Sequence, residues 1–214
     1  MESIGAYLQV VQQVLARMDA RSIMWTVALL FDAWREERRV FLCGNGGSAS
    51  TASHMANDLS KATIVPGRRR MKVIALTDNI SLITAWANDS SYEDVFSEQL
   101  ENLMESGDVL LAISASGNSP NVLRAVARAA RMGGVTIGWT GQEGGRLKDM
   151  VDLAVMVPTD DIGMIESCHL VLDHLVTMEL RRHIAGHGVV GVPLLAVSDL
   201  AASLRARRVG KGAR

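Results

Sequence analysis

The feature that most constrains this chain is an alternation of two patterns. Short apolar runs recur at Val40 to Cys43, Val73 to Leu76, Val109 to Ile113, Val135 to Trp139 and Leu153 to Val157. Longer stretches of helical period separate them. Strands joined through helices pair in parallel, because each crossover brings the chain back to the same end of the sheet. The expected fold is therefore α/β, with three layers and a five-stranded parallel sheet flanked by helices. Ligands of such sheets sit beyond the carboxyl ends of the strands.

Two amphipathic segments precede the first strand. Residues 3–19 place Ile4, Leu8, Val11, Leu15 and Met18 at helical spacing, and residues 22–37 do so with Ile23, Val27, Leu30, Phe31 and Trp34. These apolar faces exceed what one small domain needs to cover itself, so the helices are expected to pack against another subunit as well. Further helices are expected over 48–61, about 80–87, 92–104, 120–132 and 161–184. The fourth has Pro120 in its first turn and stops at Gly133-Gly134. One domain, residues 1–184, includes the N-terminal helices. Residues 185–214 form an extension: a break from His187 to Pro193, a short apolar helix over 194–204, and a disordered basic tail from Arg205 to Arg214 with five positive charges. A tail that binds a partner or an anion is the alternative.

Composition narrows the function classes. The 214 residues are 48% apolar but only 4% aromatic, which suits parallel strands under helices better than a β-sandwich. A net charge of −1 supplies no global field for nucleic acid or membranes. Cys43 and Cys168 are the only cysteines and share no CxxC spacing, so reduced thiols are expected. The start, MESIGAYLQVVQQ, lacks a basic segment of the secretory kind. No apolar run reaches the roughly 18–20 residues of a membrane helix. The expected location is the cytoplasm.

Two strand-to-helix junctions share one design. Cys43 leads through Gly44-Asn45-Gly46-Gly47 to Ser48, and Ile113 runs into Ser114-Ala115-Ser116-Gly117-Asn118-Ser119. Glycines let backbone amides approach an anion, and Ser48 is placed to cap the next helix. Three serine hydroxyls within six residues can hold a phosphate together with the helix N-terminus, each bond to a charged oxygen contributing roughly 1.5–3 kcal/mol. Neither loop is a Walker loop or a GxGxxG fingerprint. Ordinary βα turns with serine caps would look the same singly; two at neighbouring strand ends point to an anion site.

Four more residues offer chemistry. His54 and Asp58 are spaced i, i+4 and share one helix face. Glu166 and His174 lie eight apart on the last long helix, on one broad side and two turns from each other. Together they fit a divalent metal site, with zinc favoured by the nitrogen ligands, or an acid/base pair. His169 and Asp173, also i, i+4 on that helix, are an alternative functional face. Cys168 reads as a packed thiol.

These motifs, in this order, resemble the phosphoheptose isomerase branch of the SIS (sugar isomerase) domain family. Ala87-Asn88-Asp89, Gly107-Asp108-Val109-Leu110 and Thr140-Gly141 before Gly144-Gly145 extend the resemblance from the first helix to about residue 184. It implies a flavodoxin-like sheet and a homotetramer with sites between subunits. The implied substrate is sedoheptulose 7-phosphate or a related sugar phosphate. It implies phosphate binding by Ser114, Ala115, Ser116 and Ser119, and sugar contacts from Asn45, Gly46, Gly47, Ser48, Asp89 and Glu166. Asp58 and His174 take the positions of the acid/base pair. His54, Asp58, Glu166 and His174 take those of the zinc ligands. Non-catalytic relatives, sugar-phosphate sensors and a replication-initiator-binding scaffold, are the competing class and lack the acid/base pair. Three differences stand out against the family pattern. Asp58 replaces a glutamate and is shorter in reach by about 1.5 Å. Glu166 replaces a glutamine. Ser60-Lys61-Ala62 replaces Thr-Gly-Arg, so Arg68, Arg69 and Arg70 are candidates to restore a positive charge.

Overall fold

The computed structural model describes residues 3–187. The expected apolar helix over 194–204 and the basic tail from Arg205 lie outside the described residues. Helices α1 (Ile4–Ala16) and α2 (Ala20–Arg35) lead into β1 (Arg39–Cys43), α3 (Gly47–Lys61), β2 (Lys72–Ala75) and α4 (Ile80–Asp89). A 3-10 turn (Tyr92–Asp94) and α5 (Ser97–Leu103) precede β3 (Val109–Ser114), α6 (Pro120–Arg131) and β4 (Val135–Thr140). The short α7 (Leu147–Met150), β5 (Leu153–Met156) and the long α8 (Ile162–Ile184) are the last elements among the described residues. All five strands are parallel, in the order β2-β1-β3-β4-β5. This bears out the expected sheet. The segment expected as one helix over 92–104 is instead a 3-10 turn and a short helix. The four-residue α7 carries too little apolar period to be seen in sequence.

The period of the strands divides the core. Val40 and Leu42 point to one face with Leu111, Ile113, Ile137 and Val155, under α2, α3 and α8. Phe41 and Cys43 point to the other with Leu110 and Ala112, under α5, α6 and α7. Strand β3 is buried along its whole length, as the central strand of a covered parallel sheet should be. Burial raises the Cys43 thiol to about 12, so it stays neutral and packs as a small apolar group.

Helix starts are set by side-chain caps. Asp19 accepts from the amides of Arg21 and Ser22 at the head of α2, and Asp161 accepts from Met164 at the head of α8. Helix α1 buries only Val14, which packs with Val157, Ile165 and Cys168; Ile4, Leu8 and Val10 are exposed. Among the described residues, no helix is long and apolar enough to cross a membrane.

Candidate active site

Both Gly/Ser-rich loops lie at carboxyl ends of neighbouring strands, β1 and β3. In the first, Gly46 (φ 56°) is the N-cap of α3 and has no side chain to offer the helix amides. The expected cap by Ser48 is therefore corrected: the helix starts two residues earlier than the serine needs, and Ser48 is buried in its first turn. Gly44 and Gly47 answer a need for close approach. A Cβ on Gly44 would lie 2.8 Å from the Ser48 backbone, and one on Gly47 would lie 2.3 Å from the Glu166 carboxylate. Glu166 thus sits against the positive end of α3.

Asn45 bridges the loops. Its amide donates to Asn121 Oδ1 at 2.8 Å, and Asn121 Nδ2 donates back to Asn45 Oδ1 at 2.9 Å. The Tyr92 hydroxyl donates to the same Asn45 oxygen at 3.1 Å. Loop 44–47 is so fixed to the head of α6.

In the second loop, the Ser114 and Ser119 hydroxyls are 3.2 Å apart, and the Ser116 hydroxyl accepts from the Asn118 amide at 3.2 Å. Ser119 is the N-cap residue of α6, yet its side chain makes no capping bond and remains available to a ligand. The loop is tied to the segment after β4: Gly141 N donates to Ala115 O and Leu147 N donates to Gly117 O, both at 2.9 Å. Gly117 has φ 64°, and a Cβ there would fall 2.0 Å from the Gly144 carbonyl oxygen. Left-handed backbone costs a non-glycine residue about 1–2 kcal/mol, and this clash is with backbone that cannot rotate away. Gly117→Ala is expected to lower unfolding free energy by more than about 2 kcal/mol, read as an earlier urea midpoint. A midpoint at the wild-type value would mean the loop relaxes freely.

Helices α3 and α8 bring the third part together. His54 Nε2 lies 3.2 Å from His174 Nε2, and Asp58 Oδ2 lies 3.6 Å from the first and 3.9 Å from the second. Two bare imidazole lone pairs would repel at that distance, so a proton or a cation belongs between them. Asp173 joins the group: one donor atom from each of His54, Asp58, Asp173 and His174 lies within 4.8 Å of the others. Burial, then the charge of Asp58, pushes the Asp173 carboxyl up to about 7; His54 and the Thr177 hydrogen bond act against this. A tetrahedral zinc site has donors about 3.3–3.4 Å apart, given bonds near 2.0–2.1 Å. The His54–His174 spacing of 3.2 Å is close to that value, while the Asp58 oxygen, at 3.6 and 3.9 Å from the two rings, stands wider.

Glu166 is not in this group. Its carboxylate lies over Gly47 while His174 meets His54, so α3 and α8 run side by side in the same direction. The seven or eight residues between these contacts rise about 10–12 Å along the helices. Asp89 ends α4, is exposed and accepts from Asn88 at 2.8 Å; it shares no hydrogen bond with the other candidates among the described residues. Arg69 does not restore a charge here. It pairs with Glu37 at 2.7 Å and stands over Trp34, at the amino end of the sheet, away from both loops.

Comparison with known proteins agrees with this geometry. Residues 6–141 match the SIS domain family. The chain is 39% identical over 160 residues to a phosphoheptose isomerase of Helicobacter pylori (strain P12), covering 75% of this chain and 83% of that protein. The chain belongs to the SIS domain family, in its phosphoheptose isomerase branch. It is also 44% identical over 156 residues to the lincomycin biosynthesis protein LmbN of Streptomyces lincolnensis, covering 68% of this chain and 57% of that protein. The solved structure of a phosphoheptose isomerase from Francisella tularensis matches with a TM-score of 0.79 at 29% identity, over 84% of this chain and 96% of that one.

Within this SIS domain, sequence reading did not single out Asn121 or Tyr92, and held Asp173 only as part of an alternative face with His169. Asn121 carries no signal, because its role depends on a loop distant in sequence. His169 is fully buried against Trp139, and burial lowers its pKa to about 4, which keeps the ring neutral.

Proposed function

We propose that this chain is an aldose–ketose isomerase that converts sedoheptulose 7-phosphate, or a closely related sugar phosphate, to the aldose phosphate through an enediol. The observation that carries the reading is the His54–Asp58–His174 cluster beside two anion-suited loops at adjacent strand ends.

The phosphate is assigned to Ser114, Ser116, Ser119 and the head of α6, with the Ala115 backbone shaping the loop. Asn45, held by Asn121 and Tyr92, exchanges hydrogen bonds with sugar hydroxyls, and Glu166, above Gly47, accepts from them; Gly46, Ser48 and Asp89 complete the polar lining. Asp58 takes the proton from the hydroxyl-bearing carbon next to the ketone. His174 gives a proton to the carbonyl oxygen and later takes one from the neighbouring hydroxyl. Asp58 then returns its proton to the adjacent carbon. The ketone is reduced and the alcohol oxidised within one molecule, so no external redox partner is needed. His54, Asp58 and His174 would hold a zinc ion, which when bound would polarise the substrate oxygens.

The exposed apolar residues of α1 and α8 support a homo-oligomer, with a tetramer as the family precedent. Ile4 and Leu8, then Leu170, Val171, Leu175 and Met178, remain uncovered in one chain. An apolar groove of about 250 Å³ between α2 and α8, lined by Ile23, Met24, Val27 and Leu175, lies on the same surface. His54 and His174 side chains are 45% and 57% exposed, which leaves room for a second copy to close the site. A non-catalytic sensor or scaffold needs the phosphate loops alone and has no use for the cluster.

The test is turnover of sedoheptulose 7-phosphate in deuterated water, followed by NMR with and without zinc. Deuterium entering the carbon next to the carbonyl is expected. Saturable binding with no turnover of any ketose phosphate would overturn the isomerase in favour of a sensor.

A further inference from the structure

Helix α8 ends in a turn that fixes where the rest of the chain must start. Gly186 takes a left-handed backbone (φ 88°), its amide donates to His183 O at 2.9 Å, and the His187 amide donates to Arg182 O at 3.0 Å. This pair of bonds stops the helix and folds the chain aside at Arg182. The Arg182 side chain lines the lip of the apolar groove between α2 and α8, beside Glu179, with which it pairs at 3.2 Å. The floor is Ile23, Met24 and Val27 from α2 and Leu175 from α8. Met24 and Leu175 are each 37% exposed, an apolar surface that a single described domain leaves to water.

The sequence after the described residues supplies a match. Pro193 precedes Leu194, Val197, Leu200, Ala201 and Leu204, which share one sector of a helix about 120° wide. Asp199 and Ser203 fall on the opposite side, together with one leucine, Leu195. We propose that residues 194–204 of this chain seat in the groove between α2 and α8 as a short amphipathic helix. The lengths agree. Leu175 to Arg182 spans about 10 Å of α8, and a helix over 194–204 is about 16 Å long. Residues 188–193 reach up to about 20 Å when extended, ample to enter from the Arg182 lip. The tether decides between occupants. A segment on so short a linker is present at the groove at an effective concentration of about millimolar, which a second copy or a free peptide would have to exceed. Docking there leaves Ile4, Leu8, Leu170 and Val171 open to a second copy.

The inference stands apart from the isomerase reading, and its test uses no substrate. Both native cysteines are buried, so introduced thiols react alone. In the full chain, Met24→Cys with Val197→Cys is treated with a short bismaleimide, and linked peptides are read by mass spectrometry. Linkage within one chain is expected about 10-fold or more above that of Lys148→Cys with Val197→Cys, because α7 lies on the other face of the sheet. Adding Leu200→Asp to the first pair should remove most of the linkage, since a carboxylate is costly in an apolar groove. Leu200→Asp alone should lower the melting temperature by about 4–8 °C and raise the fluorescence of an apolar dye. Ser203→Asp, on the outer side, should change neither. Linkage at the control level would overturn the inference, as would a wild-type melting temperature in Leu200→Asp. Linkage found only between chains would overturn it too and give the groove to a second copy.

Discussion

Asp58→Asn is expected to lower kcat by roughly 10²–10⁴-fold, the usual contribution of a positioned general base. The amide keeps the shape of the carboxylate, and the position is only 19% exposed, so packing is preserved while basicity is removed. One oxygen of Asp58 faces the two imidazoles and the other accepts from Asn57 Nδ2 at 3.1 Å. A carboxylate so placed can face an ion and a substrate proton at once, and the amide impairs both. Asp58→Glu separates them. It restores a carboxylate with about 1.5 Å more reach, the length the family pattern implies, and should keep measurable turnover. Sugar-phosphate affinity in Asp58→Asn should stay near wild type, because the phosphate is held by other elements. Turnover equal to wild type in Asp58→Asn would remove this residue from the mechanism.

Much of the fold was legible because the chain says the same thing at several levels. Five apolar runs interleaved with helical segments allow few arrangements, and the glycine and serine clusters fall where such a sheet binds ligands. What sequence could not resolve was the relative placement of helices. Glu166 and His174 share a side of α8, so both qualified as metal ligands on periodicity. Only the parallel pairing of α3 with α8 shows Glu166 turned to Gly47 while His174 meets His54. Asp173 illustrates the converse. One residue from His174 means about 100° of rotation, which reads as a different face. The groove between two helices is wide enough to receive both. The Asn45–Asn121 pair was likewise invisible, since the two amides lie 76 residues apart and meet only when neighbouring strand ends are assembled.

The double variant Ser116→Ala, Ser119→Ala is expected to weaken sugar-phosphate binding by roughly 10²–10⁴-fold, from two bonds to a charged oxygen at about 1.5–3 kcal/mol each. The fold should scarcely notice. Ser116 is exposed and its hydroxyl accepts from Asn118, while Ser119 makes no cap bond and meets the Ser114 hydroxyl at 3.2 Å. A urea midpoint close to wild type is therefore part of the prediction, and it separates this variant from Gly117→Ala, which distorts the loop itself. Inorganic phosphate supplies the specific reading. It should compete with sugar phosphate for the wild type and lose most of that ability in the double variant. Unchanged affinity would move the phosphate to the first loop, where a side chain added at Gly46 would meet nothing within 4 Å and an anion has room against the head of α3. Glu166 argues against that outcome, because its carboxylate already occupies the space over Gly47 and would repel a second anion there.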